Sequence, residues 1–200
     1  MKPTAKRPQA IRLTPVGVVR NGIKRPSLNA VRSNLELAEK MHEIKARQRE
    51  IKRGVSELVI SPALKGILEG VEGFSHILVL YWPHLIDPER RKLLKVNPMG
   101  RKDLPKRGIF ATCSPARPNP ILVSAVKLLE RKGNILRVRG LEAVDGSPII
   151  DIKPYSRHYY RIEKPTVPEW MAQIHREIRS ASSSSGLGRK PPPRKRTQSR

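Results

Sequence analysis

The stretch from Ile121 to Leu141, ILVSAVKLLERKGNILRVRGL, decides the fold. Two runs rich in apolar residues, Ile121–Glu130 and Ile135–Leu141, flank Lys132-Gly133-Asn134, and glycine with asparagine suits the tight reversal of a hairpin. The same pattern recurs upstream. Leu13–Arg20, Leu58–Ile60, the nearly continuous apolar run Phe74–Trp82 and Gly108–Thr112 read as further strands, and Asp145-Gly146 reads as a second hairpin dipeptide. Many short strands, glycine turns and few helices predict a mainly β chain, a single β-barrel-like domain rather than a doubly wound α/β fold.

One segment breaks that pattern. Ser33 and Glu36 have capping-box spacing, Leu35, Ala38, Met41, Ile44, Ile51 and Val55 recur at helical intervals, and Gly54 follows Lys52 and Arg53 as a stop. This predicts an inserted charged helix within residues 33–54, its narrow apolar stripe interrupted by Gln48. Such a helix reads as a solvated surface element, with an RNA-facing role for Lys45, Arg47, Arg49 and Lys52 as the alternative. Residues 88–107, charged and proline-containing, suggest a short helix and a long basic loop. The barrel domain is expected over 12–165, a short C-terminal helix over 166–180, a basic flexible arm at 1–11 and a disordered basic tail at 181–200.

The charge points to a polyanion. Lys and Arg number 41 against 17 Asp and Glu, a net +24. Setting aside four cations in residues 1–12 and six in 181–200 leaves +14 on the rest, so the body is basic without its ends. Nucleic acid is the leading partner on that ground. A single cysteine, Cys113, excludes an intrachain disulfide and any multi-cysteine zinc site, and suggests a reducing, cytoplasmic setting. No run reaches the 18 or so apolar residues of a membrane span, so no membrane partner is expected.

Missing motifs narrow the chemistry. There is no dinucleotide G-x-G-x-x-G fingerprint after a strand, no phosphate-binding P-loop, no H-E-x-x-H and no paired C-x-x-C, so no metal is expected. Three stretches remain unusual. The first, GFSHILVLYWPH at 73–84, carries His84 beyond a strand end and His76 within the strand, where it reads as a satisfied core histidine. The second, ATCSPARPNPI at 111–121, holds three prolines that fix φ and stiffen a loop bearing Arg117 and Asn119, both able to donate to a phosphate, carboxylate or base edge. The third, GLEAVDGSPIIDIKPY at 140–155, offers the carboxylates of Glu142 and Asp145 at a turn for ribose hydroxyls or an amine, then Lys153 and Tyr155 on one side of an extended segment.

In these stretches, in GIFATCSPARPNPI at 108–121 and in Pro15-Val16-Gly17-Val18-Val19-Arg20, the sequence closely resembles the TrmO-like (TsaA/YaeB-like) family. The resemblance spans most of residues 14–156. It implies a β-barrel methyltransferase, a homodimer using S-adenosylmethionine near its subunit interface to methylate the adenine amino nitrogen of threonylcarbamoyladenosine beside the tRNA anticodon. Carried over by motif, the cofactor would meet His84, Leu85, Cys113, Val123 and the turn Glu142, Ala143, Val144, Asp145. Arg117 and Asn119 would meet substrate. Asp151, Lys153 and Tyr155 are candidates for orienting the acceptor and managing its proton.

The sequence departs from the family pattern at Cys113 and Leu122, where arginine and glycine are usual, and in the charged helix, which replaces a shorter Pro-Arg-Gln segment. Two other readings stay open: a methyltransferase of another nucleoside or small molecule, and a non-catalytic RNA-binding barrel.

Overall fold

The computed structural model describes residues 10–25 and 46–183. Most of the expected basic arm and basic tail, and the first part of the charged helix at 33–45, lie outside them. Six strands close into a barrel in the order β1-β2-β7-β6-β3-β8: β1 (Gly17–Arg20), β2 (Val55–Ile60), β3 (His76–Tyr81), β6 (Leu122–Lys132), β7 (Ile135–Arg139) and β8 (Pro148–Pro154). A two-stranded sheet pairs β4 (Lys95–Val96) with β5 (Arg107–Gly108). Among the described residues helix α1 covers 46–53, α2 is Arg157–Tyr160 and α3 is Glu169–Ser183.

Alternation builds the core. Leu58 and Ile60 of β2, Ile77, Val79 and Tyr81 of β3, Val126 and Leu128 of β6, and Leu136 and Val138 of β7 are all buried, while their neighbours along each strand face outward. Every barrel ladder is antiparallel. Closure pairs both sides of every strand and leaves no edge exposed. The seam is β1, whose Gly17 pairs with both Ile60 of β2 and Ile149 of β8.

The structure corrects several expectations. Gly108–Thr112 is no barrel strand: residues 109–111 form a helical turn with Ile109 buried and Phe110 exposed. Its carbonyls at Ile109 and Thr112 accept from the Arg117 guanidinium instead of from a strand. Val55 opens β2 rather than ending the charged helix. Asp145-Gly146 turns the chain with Gly146 at φ 78°, but the strands on either side, β7 and β8, do not pair, so it is not a hairpin. His76 is an exposed outward residue of β3 hydrogen-bonded to Ser75, not a core histidine. Finally, α3 continues to Ser183, past the expected start of the tail.

Arg101 is the only buried charged residue among the described ones, at 4% exposed. Its guanidinium donates to both oxygens of Asp103 (3.1 and 2.5 Å) and to Glu177 of α3, so it ties the long basic loop to the C-terminal helix beside buried Ile174. Hydrogen bonding from Arg101 holds both carboxyls below their usual range. A lowered folded pKa adds stability above the unfolded values near ~4, and that stability is lost as pH falls through the folded values. Hydrogen exchange along α3 is therefore expected to accelerate below about pH 4 while the barrel stays protected. Glu177→Gln should loosen α3 by about 1 kcal/mol at neutral pH, a modest figure because the pair is partly solvated.

Candidate functional site

Where α1 meets the barrel, the helix and the start of β6 border an open cleft of about 370 Å³. Gln48, Ile51 and Lys52 line it from α1, Val123, Ser124 and Ala125 from β6, and Gly140 and Glu142 from the segment leaving β7. The helical face is contiguous because positions 48, 51 and 52 are related by i, i+3 and i+4 spacing. Gln48, read from sequence as an interruption of the apolar stripe, faces the cleft. Beneath it the Tyr81 hydroxyl lies 3.4 Å from Ser124. Burial, with the nearby Glu142 charge adding, pushes the Tyr81 phenol up to about 12, so it stays neutral at physiological pH.

The expected cofactor residues separate into groups. Val123 and Glu142 line the cleft, with Val123 56% exposed. Ala143 is buried in the core, and its carbonyl accepts from Asn21. The Asp145 carboxylate accepts from the Asn21 backbone N–H (2.8 Å) and from Lys24 (2.6 Å), and the Lys24 hydrogen bond in particular holds it below the usual range. That pins the 143–146 turn to residues 21–24, so Asp145 is already engaged. His84 packs beside the same turn, 3.4 Å from the Ser147 hydroxyl, and Leu85 next to it is exposed. Val144 is half-buried within the turn, its carbonyl accepting from Ser147.

The proline-rich loop is braced from within. Arg117 donates to the carbonyls of Ser114 (2.9 Å), Thr112 and Ile109, so its guanidinium shapes the loop. Cys113 and Asn119 are exposed on that loop. Leu122, the other departure from the family pattern, packs against the core at the start of β6.

The candidate catalytic residues lie on the outer barrel face. Asp151 pairs with Leu80 and Lys153 with Leu78 of β3, which in turn pair with Val123 and Ala125 of β6. With strands ~4.8 Å apart, Asp151 and Lys153 stand about 10 Å from the cleft wall along one continuous face. The two form an ion pair at 2.7 Å. The Asp151 hydrogen bond raises the Lys153 pKa, so Lys153 remains a cation and cannot serve as a base. Tyr155 follows β8, its amide donating to the His76 carbonyl and its ring stacked on Tyr160 with centroids 5.7 Å apart.

No group of three or more metal-ligating side chains occurs among the described residues, and no helix among them is long and apolar enough to cross a membrane. The cleft instead offers apolar walls from Ile51, Val123 and Ala125, a cation from Lys52 and a carboxylate from Glu142. Its volume is within the range of small-molecule pockets, about 300 to 1,000 Å³.

Comparison with known proteins agrees with this architecture. A "Probable S-adenosyl-L-methionine-binding protein" of Methanothermobacter thermautotrophicus is 46% identical over 145 residues, 72% of this chain and 90% of that protein. A mouse "tRNA (adenine(37)-N6)-methyltransferase" is 39% identical over 92 residues, 46% of this chain and 21% of that protein. A crystal structure of TrmO superposes with a TM-score of 0.57 at 25% identity, covering 79% of this chain and 63% of that one. This chain thus spans most of the archaeal relative and under two thirds of the solved TrmO chain. Residues 35–160 match the tRNA-methyltransferase O N-terminal domain, and the chain belongs to that family.

Proposed function

We propose that this protein is an S-adenosylmethionine-dependent methyltransferase acting on the N6 nitrogen of adenosine 37 in tRNA, with threonylcarbamoyladenosine as the acceptor. The cleft between α1 and β6 is the observation that carries the reading, because its donor set suits both halves of the cofactor. Ile51, Val123 and Ala125 provide apolar surface for a purine. Glu142 accepts from ribose hydroxyls or an ammonium, and Lys52 meets a carboxylate. The cofactor supplies an electrophilic sulfonium methyl. The names of the archaeal and mouse relatives support the cofactor and the acceptor position.

The protein's own part is positioning. The acceptor nitrogen is a poor nucleophile because its lone pair is delocalised, so rate is gained by holding it in line and excluding water. Leu78 and Leu80, between the cleft wall and Asp151, form a half-buried apolar floor for the substrate base. Asp151 is the group on this face able to accept a proton, while Lys153 keeps that carboxylate oriented. His84 packs beside the turn that follows Glu142, and Arg117 holds the loop that carries Cys113 and Asn119. A second subunit covering the outer apolar face would complete the enclosure, and a cytoplasmic location is where tRNA would be met.

Mass spectrometry of tRNA nucleosides after incubation with the protein and isotope-labelled S-adenosylmethionine tests the reading. The expected result is label on N6 of threonylcarbamoyladenosine. Label on another nucleoside would replace the acceptor, and cofactor binding without transfer to any RNA would replace the activity.

A further inference from the structure

We infer that the barrel end away from the β6–β7 turn is a track for single-stranded RNA, made of a cross-strand row of cations leading to a tyrosine stacking platform. The register defines the row. Arg139 of β7 lies directly opposite Lys127 of β6, and Lys127 lies opposite His76 of β3. All three face outward, because their neighbours Val138, Val126 and Ile77 are buried. Like charges directly opposite on adjacent strands cost stability. Neither Lys127 nor Arg139 has an acidic partner among the ion pairs formed by the described residues. Folding alone gives no reason for that arrangement, whereas a phosphate backbone crossing the strands does.

The row ends at the platform. The carbonyl of His76 accepts from the amide of Tyr155, the first residue beyond β8. Three of the chain's four tyrosines gather there. Tyr155 and Tyr160 stack with their planes 14° apart, and Tyr159 meets Tyr160 edge-on while remaining 79% exposed. The Ser156 hydroxyl caps the short helix that carries Tyr159 and Tyr160. Exposed aromatic rings beside unpaired cations are the combination that binds unpaired bases and their phosphates together. The other end of the row, at Arg139, adjoins Gly140 of the cleft wall, so a strand on this track passes the cofactor site. The track rests on the reading of tRNA as substrate and specifies the unpaired nucleotides flanking the target base as its occupant.

The test measures affinity of the full chain for tRNA and for a short unstructured RNA oligonucleotide across a salt series. The double variant Lys127→Ala with Arg139→Ala is expected to lower the oligonucleotide salt slope by about 1.4, two phosphate contacts at about 0.7 each. Tyr159→Ala should weaken binding about tenfold or more without changing the slope, and Tyr159→Phe, which keeps the ring, should bind like the parent. Affinity for S-adenosylmethionine is expected to stay unchanged in all three, the unfolding midpoint to hold in the two Tyr159 variants, and to rise slightly in the double variant, which removes the like-charge pair. Parental affinity and slope in both alanine variants would overturn the track. So would a change of oligomeric state in Tyr159→Ala with RNA affinity intact, which would make the platform a subunit contact. If the parent binds RNA through these residues but transfers no methyl group, the methyltransferase reading fails and the track stands; methyl transfer with unaltered variants gives the reverse.

Discussion

Gly17→Ala is expected to lower the unfolding free energy by about 3 kcal/mol, the cost of forcing extra volume into a closed packing. A Cβ at Gly17 would lie 2.4 Å from the Val59 carbonyl oxygen and 3.0 Å from two carbons of Ile60. The nearest atom is backbone, and β2 cannot retreat because its other side is paired with β7 from Val55 to Val59. β1 cannot retreat either, since Gly17 also pairs with Ile149. Removing a glycine normally stabilises slightly by restricting the unfolded chain, by about 0.4 to 1 kcal/mol, so sterics alone decide the sign. Gly22→Ala is the control. No atom lies within 4 Å of its added Cβ, and its effect should be near zero or mildly stabilising. Urea unfolding of both variants checks this; equal midpoints for the two would mean the barrel seam is not closed as described.

That seam shows what the sequence can and cannot disclose. Alternation marks β2, β3, β6 and β7 because one face of each is buried and the other is not, and Gly133-Asn134 joins β6 to β7 as the turn chemistry predicts. Closure is harder to read. It depends on β8, which the sequence discloses only as an extended segment because Pro148 and Pro154 bound it, although the Pro148 carbonyl still accepts from Trp82. Gly108–Thr112 misleads for the opposite reason. Its apolar pair Ile109-Phe110 looks like strand, but the carbonyls are taken by an arginine further along the chain.

The candidate site was legible as a set of stretches more than as a set of contacts. Val123 and Glu142 do meet at one cleft, but Asp145 is held by Asn21 and Lys24, whose proximity no spacing along 120 residues reveals. Gln48, Ile51 and Lys52 were missed as cleft residues because a charged helix with a narrow stripe reads as a solvated face. The available signal was Gln48 itself, a polar residue set into an otherwise apolar stripe. Strand alternation groups Tyr155 with Lys153, and the Tyr155 amide still donates to the His76 carbonyl one step beyond β8; what no spacing shows is the stacking of its ring on Tyr160.

Glu142→Ala is expected to weaken S-adenosylmethionine binding by about ten- to a hundredfold, the loss of a charged hydrogen bond worth about 1.5 to 3 kcal/mol. Glu142 lines the cleft, is exposed, and forms no ion pair with the described residues, so its carboxylate is available to a ligand. For the same reason its removal should leave the unfolding midpoint in place. Asp145→Ala should behave in the opposite way. It removes the acceptor of the Asn21 backbone N–H and Lys24, loosening the turn and lowering stability, while its effect on the cofactor should follow only from that loosening. Calorimetric titration with S-adenosylmethionine, beside thermal unfolding of each variant, separates the two carboxylates. Undiminished affinity in Glu142→Ala would remove the cofactor from this cleft and return the role to the turn at Asp145.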